Sequence, residues 1–251
     1  MLKNKKYILG NWKMSFNKLG EAKKQIDLIK KQSGRLKNTV VVIAPSFPHI
    51  APLFSKSVKL NFAGQDCSLK DGGAYTGEVS AKMLKDLGCG FVIVGHSERR
   101  AMGETNEVVA EKVGTALTAR IKPIICIGES ERDDGGKYLN VLRDQLFASM
   151  VKVQRGDLLD IIIAYEPVFA IGASKAMATE EIHQTVLYLR KLLAEKYGKD
   201  LAQSILIVYG GTVNKENASG ILNTGVVDGL LVGRVSTTPE LVDLLKVVDK
   251  I

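Results

Sequence analysis

Residues 161–176, IIIAYEPVFAIGASKA, set a carboxylate, Glu166, at the end of a short apolar run. Pro167 follows at once and cannot extend a hydrogen-bonded ladder. Small residues (Ala170, Gly172, Ala173, Ser174) then lead to a helix start at Thr179-Glu180-Glu181. A strand that hands a carboxylate to such a loop suits a general base beneath a movable lid. The same glutamate would also serve as a solvated loop residue after a core strand. His96 is the one of three histidines at a strand end, since His49 and His183 fall in helical segments. Ser97 is expected to cap the following helix, leaving His96 beside a positive dipole end that favours the neutral imidazole, a donor for a carbonyl oxygen. The alternative is a structural histidine tied to Glu98 and Arg99. Asn11 and Lys13, two apart on an extended strand, are expected to point the same way. A lysine aimed into a closed mouth calls for a phosphate or oxyanion; otherwise it snorkels at a rim.

These residues need elements to position them. Apolar, strand-like runs recur at 7–12, 39–44 (TVVVIA), 59–64, 91–95, 121–127 (IKPIICI), 160–165, 205–209 and 229–232. Helical segments lie between them: 19–32 with Leu19, Ala22, Ile26 and Ile29 on one face, then a short helix from Pro48, and 80–87. Others follow at 105–120, 139–153 and 179–197, then after Asn214, and last from Thr238-Pro239-Glu240. Eight alternations in about 250 residues predict an α/β fold of one domain over residues 1–251, a (β/α)8 barrel. A doubly wound open sheet is the competitor, but no GxGxxG follows the first strand. A barrel requires its functional side chains where strands end, which is where Asn11, His96 and Glu166 fall. Tyr209-Gly210-Gly211-Thr212-Val213 and Val232-Gly233-Arg234 then become glycine turns able to present N–H groups to an anion. Gly72-Gly73 and Gly135-Gly136 show that paired glycines without such a position mark nothing.

With 45% hydrophobic and 25% charged residues, composition is that of a globular chain with one large core. No apolar run is long enough to span a bilayer, and residues 1–14 hold no secretory apolar core, so no membrane partner is expected. Cys67, Cys89 and Cys126 are odd in number and far apart, which predicts neither a disulfide framework nor a metal site and suits a reducing cytoplasm. Lys and Arg exceed Asp and Glu, 35 against 27, yet the lysines fall on helix faces and aromatics are only 6%. A solubilising surface is expected and nucleic-acid binding is not.

Over essentially its whole length the chain resembles the triosephosphate isomerases. The stretches that carry the resemblance are Gly10-Asn-Trp-Lys13, 73–80 (GAYTGEVS), 95–100 (GHSERR), 126–129 (CIGE), 164–172, 209–213 and 228–233. The resemblance implies a TIM barrel that interconverts dihydroxyacetone phosphate and D-glyceraldehyde 3-phosphate without metal or organic cofactor, in glycolysis and gluconeogenesis. By the same resemblance Glu166 moves a proton between neighbouring carbons. His96 polarises the carbonyl, Lys13 stabilises negative charge and Asn11 is its polar neighbour. Glu98 and Ser97 support them, Asn11 and Lys13 also bind substrate, and the phosphate rests on backbone N–H groups of Gly172, Thr212, Gly233 and Arg234. The pairing of a glutamate base with a neutral histidine comes with the family resemblance; spacing by itself does not supply it. The resemblance further implies a homodimer built through the long 65–79 loop, with Gln65, Tyr75 and Thr76.

Some residues depart from the family pattern. Phe169 stands where a Trp is usual, Ala173-Ser174 replace a Thr-Gly tip, Ala176-Met177 alter the second hinge, and Arg234 replaces a second glycine. The segment 101–103 is slightly short. These changes predict an active isomerase with altered loop kinetics. Two other readings stay open on residues alone: an isomerase of another sugar phosphate on the same barrel, and a retired barrel kept as an oligomeric binding protein.

Overall fold

The β-branched runs close into a parallel barrel. The computed structural model describes residues 5–54, 59–172 and 176–251. Its strands are β1 (Lys6–Asn11), β2 (Thr39–Ala44), β3 (Leu60–Gly64), β4 (Phe91–Val94), β5 (Lys122–Ile127), β6 (Ile162–Tyr165), β7 (Leu206–Tyr209) and β8 (Gly229–Val232). Each pairs in parallel with the next, and β8 returns to β1 with Tyr7 opposite Gly229 and Gly10 opposite Val232, so no edge is left open.

The helices between them are α1 (Leu19–Ser33), α2 (Phe47–Leu53), α3 (Ala81–Asp86), α4 (Ser97–Ala101), α5 (Asn106–Thr118), α6 (Lys137–Ser149), α7 (Thr179–Tyr197), α8 (Lys199–Ser204), α9 (Lys215–Asn223) and α10 (Glu240–Val248). Two of them, α4 and α8, go beyond the eight alternations read from the sequence. Gly198, at φ +92°, reverses the chain after α7 and lets a short second helix start at once. Ser80, Thr105 and Asn214 cap α3, α5 and α9 through side-chain oxygens, as residue type dictates.

Alternation along the strands sorts the core into two parts. Tyr7, Leu9, Val42, Ala44, Ile93, Ile124, Cys126, Ile162, Ala164, Val208 and Leu231 fill the barrel interior. Their neighbours Ile8, Val41, Ile43, Val92, Val94, Ile125, Ile163, Tyr165, Ile207 and Leu230 face the helices. Continuing that interior row to the last residue of β1 and just past β6 and β8 leads from Leu9 to Asn11, from Ala164 to Glu166 and from Leu231 to Gly233. The strand phase alone therefore turns these three positions into one mouth.

The opposite end of the barrel is stitched for stability. Asp249, after α10, accepts hydrogen bonds from the Lys37 and Asn38 main chain and the Thr39 hydroxyl at the start of β2. Arg190 of α7 donates to the Ala202 and Ile205 carbonyls and pairs with Asp228 at 2.8 Å, and Asp228 also accepts the Ile207 N–H. Each clamp joins a helix to a strand entrance, far from the mouth.

Candidate active site

Around the mouth lies a cavity of about 500 Å³ whose walls include Asn11, Lys13, His96, Glu166, Gly172, Thr212, Gly233 and Arg234. Every residue expected to catalyse the reaction or bind substrate thus meets in one place, although they are drawn from both ends of the chain. A hollow of about 620 Å³ elsewhere, bordered by Leu69, Glu111 and Lys152, contains neither histidine nor a buried carboxylate.

Glu166 is buried at 3% exposure, and its Oε2 meets no hydrogen-bond partner among the described residues. Its main-chain N–H is fixed by the Ile127 carbonyl at 2.8 Å, so the carboxylate emerges from a rigid strand end. The side chain lies flat against Gly210: a Cβ there would stand 2.6 Å from Glu166 Cγ. Glycine at 210 therefore makes room for the base.

His96 reaches the mouth by another route. Gly95 adopts φ +68°, which breaks the alternation after β4 and swings the next side chain inward. A Cβ at 95 would meet Val109 at 2.9 Å as well. The expected cap, Ser97, is not the one formed: His96 itself caps α4, its Nδ1 accepting the Glu98 N–H at 3.2 Å. An imidazole accepting at Nδ1 carries its proton on Nε2, so the neutral ring points a donor into the cavity. That Nε2 stands 3.5 Å from Glu166 Oε1, close enough for both to touch one small molecule and too long for a strong mutual hydrogen bond.

Lys13 also departs from expectation. It does not continue an extended strand; β1 stops at Asn11 and Lys13 turns to φ +49°, in the left-handed region. Two contacts hold it there. Asn11 Oδ1 accepts its N–H at 3.0 Å, and the Gln65 amide donates to its carbonyl at 2.8 Å. Strain of this kind persists only where neighbours over-determine it, and here it aims an ammonium at the cavity. Lys13 Nζ pairs with Glu98 Oε1 at 2.6 Å, while Glu98 Oε2 lies 3.8 Å from His96 Nδ1. The pair is half-exposed and adds little stability; what it fixes is direction.

Thr212 Oγ1 donates to the Ala170 carbonyl at 2.7 Å, joining the turn after β7 to the loop after β6. Past β8, Arg234 opens a short 3-10 turn through Thr237, and Gly233, Arg234 and Val235 line the same space. Glu216 and Glu240 complete the rim. Behind the loop, Glu129, Arg132 and Tyr165 form a buried cluster. Arg132 Nε donates to Glu129 Oε1 at 2.9 Å, and Arg132 Nη2 donates to the Tyr165 hydroxyl at 2.9 Å. The Arg132 guanidinium stacks 5.7 Å from the Phe169 ring. Glu129 Oε2 is buried without a hydrogen-bond partner among the described residues. Burial, then Glu129, pushes the Tyr165 hydroxyl pKa well up.

Not all expected residues enter the cavity. Ser97 borders a separate gap behind Glu166. Gln65 sits at the root of its loop as a brace for Lys13, and residues 71–78, with Tyr75 and Thr76, are exposed away from this chain's own cavity. Ala173 and Ser174 lie outside the described residues. Missed from sequence were Gly210 as the seat of Glu166, Leu231 on the cavity floor and the Glu129–Arg132 cluster. Leu231 sits in a strand apolar on both faces, where no alternation distinguishes it. Burial pushes the thiol of Cys67 up to about 12 and that of Cys89 up to about 11, so neither is a nucleophile. Among the described residues no cluster of three or more His, Cys, Asp or Glu is arranged to hold a metal, and no helix is long and apolar enough to cross a membrane.

This geometry agrees with comparison to known proteins. The family model for triosephosphate isomerase matches residues 6–249. A triosephosphate isomerase of Alkaliphilus oremlandii is 40% identical over 241 residues, covering 94% of this chain and 96% of its own. One from Fusobacterium nucleatum is 41% identical over 233 residues, 91% and 92% of the two chains. One from the fungus Coprinopsis cinerea is 38% identical over 245 residues, 95% and 96% of the two. A closed eight-stranded barrel, a glutamate and a neutral histidine sharing its mouth, and a match from β1 to the end of α10 lead to one conclusion: the chain belongs to the triosephosphate isomerase family.

Proposed function

We infer that the chain interconverts dihydroxyacetone phosphate and D-glyceraldehyde 3-phosphate, with Glu166 as the base, His96 as the proton donor to oxygen, and Lys13 as the counter-charge. The observation that carries the reading is the 3.5 Å approach of His96 Nε2 to Glu166 Oε1 at the floor of a cavity that also holds Lys13. The Glu166 carboxylate takes a proton from the carbon beside the carbonyl. The electron pair moves into the carbon–carbon bond and negative charge grows on oxygen, where Nε2–H and the ammonium meet it. The proton then returns to the neighbouring carbon, exchanging ketone for aldehyde. The phosphate occupies the end walled by Gly172, Thr212, Gly233 and Arg234, where main-chain N–H groups meet it. No step calls for a cofactor. A coupled isomerase assay tests the reading: native protein converts the ketose, and Glu166→Asp converts it far more slowly. An inactive native protein would favour the retired barrel, and faster turnover of another sugar phosphate would favour a different substrate.

The loop after β6 closes over the intermediate, because an enediol phosphate open to water eliminates its phosphate. Phe169 supplies a ring to Arg132 but no N–H to the orphaned Glu129 Oε2. Phe169→Trp places an indole donor beside that cluster. It is expected to change the dependence of kcat on solvent viscosity while leaving the pH profile in place. Identical viscosity slopes in the two proteins would show that residue 169 does not govern closure.

The molecule is a homodimer in this reading. Met14 and Met102 are 87% and 76% exposed, and Tyr75 lies on the projecting 71–78 loop, so a second copy has apolar surface to cover. Sedimentation velocity reads the stoichiometry directly, and a monomer at micromolar concentration would remove this part. The cytoplasm, where triose phosphates are interconverted in glycolysis and gluconeogenesis, is the compartment that fits.

A further inference from the structure

Arg100 stands behind the mouth, and its side-chain hydrogen bonds go to neutral acceptors. Nε donates to the Gly95 carbonyl at 2.8 Å and Nη1 to Asn106 Oδ1 at 2.7 Å. Nη2 donates to the Cys126 carbonyl at 3.2 Å and to Ser149 Oγ at 3.3 Å. Among the described residues no carboxylate comes within 4.0 Å of it, although Arg99 beside it has two. A half-buried guanidinium held only by neutral acceptors is costly, and the fold keeps it. Burial draws its pKa below the ordinary value, while Cys126, Glu104 and Glu166 draw it back up.

Its anchors explain its use. Gly95 directly precedes His96, and Cys126 leads into the Gly128 turn packed on Glu166. One planar group therefore fastens the strand end that bears the imidazole to the strand end that supports the base. Between Arg100 and Glu166 lies a gap of about 10 Å³, the room of one water, with Gly95, Ser97, Cys126 and Gly128 among its walls. The titratable and charged groups facing Glu166 are His96 at the mouth, Lys13 across the cavity, the Cys126 thiol and Arg100 behind. The Cys126 thiol stays protonated, pushed well up by burial and then by Glu166 itself. Of the two permanent cations, Lys13 already has Glu98.

We propose that Arg100 is a positioning residue for the isomerisation, spacing His96 against Glu166 through the Gly95 and Cys126 carbonyls. The proposal rests on the roles assigned above to Glu166 and His96. Arg100 touches no substrate, so anion binding is unaffected and the loss falls on turnover.

The test compares the intact native protein with Arg100→Met, Arg100→Lys and Asn106→Asp by steady-state kinetics, with circular dichroism and thermal melts as controls for folding. In Arg100→Met, kcat is expected to fall on the order of 10²-fold, the cost of displacing catalytic groups by about 1 Å, with KM held within about threefold. Asn106→Asp keeps the guanidinium and both of its main-chain anchors in place, so kcat should change little. Arg100→Lys, which keeps the cation but cannot span the Gly95 and Cys126 carbonyls, decides the matter if Arg100→Met does not fold: its kcat should fall with KM held. Full turnover in folded Arg100→Met or Arg100→Lys, a loss confined to KM, or an equal kcat loss in Asn106→Asp would overturn the proposal. Native activity and its loss in Glu166→Gln, run in the same assay, separate failure of this proposal from failure of the site itself.

Discussion

Glu166→Gln is expected to reduce kcat by about 10²- to 10⁴-fold, the range spanned by a positioned general base, with KM changed only a few-fold. The substitution keeps the side chain's volume, so the seat against Gly210 is still filled and the cavity keeps its shape. What it removes is the one buried carboxylate within reach of His96 Nε2 among the described residues. The amide should also relieve burial of an unpartnered anionic oxygen, so the variant is expected to melt no lower than the native protein. Activity then falls without a loss of stability, which a merely structural glutamate would not produce. Steady-state kinetics beside a thermal melt reads both, and a variant that keeps native turnover would remove Glu166 from the chemistry.

Lys13→Met should cost about 10²- to 10³-fold in kcat/KM, as deletion of one preorganised group facing developing charge does elsewhere. The loss is expected in KM as well as kcat, because the ammonium faces an anion already present in the substrate and more charge in the transition state. Removing Lys13 also strips Glu98 of its 2.6 Å partner and leaves a carboxylate at the mouth that repels the substrate. The double variant Lys13→Met/Glu98→Gln should therefore recover part of the KM loss and little of kcat. Arginine is not a conservative replacement: its planar fork does not reproduce a compact ammonium on a left-handed residue. Rescue of kcat by adding Glu98→Gln to Lys13→Met would show that Lys13 acts only by screening that carboxylate.

The strands were legible because each is a β-branched or apolar run too short for a helix, and α7 was legible end to end because Thr179-Glu180-Glu181 opens it and Gly198 closes it. Glu166 was readable too, since Pro167 stops the ladder at a known residue. Other features depend on dihedrals that residue names do not carry. The inward turn of His96 hangs on the positive φ of Gly95, and Lys13 leaves the extended path by a turn that Asn11 and Gln65 impose from outside. Ser97 looked like the cap because serine is a good one, but the His96 ring takes the Glu98 N–H instead. Arg100 and Arg132 were hidden for a further reason. Arginines usually read as surface charge, and only the assembled barrel brings carbonyls from two strand ends around one and a buried tyrosine and glutamate around the other.

The most direct test of the shared mouth is to follow dihydroxyacetone phosphate in deuterated water by proton NMR with the purified protein. If Glu166 lifts a proton and returns it through an enediol, glyceraldehyde 3-phosphate should form with solvent deuterium in part of it at carbon 2, and Glu166→Gln should slow conversion and labelling together. Absence of conversion, or conversion with no deuterium entering the product, would contradict a shared base and acid at this mouth.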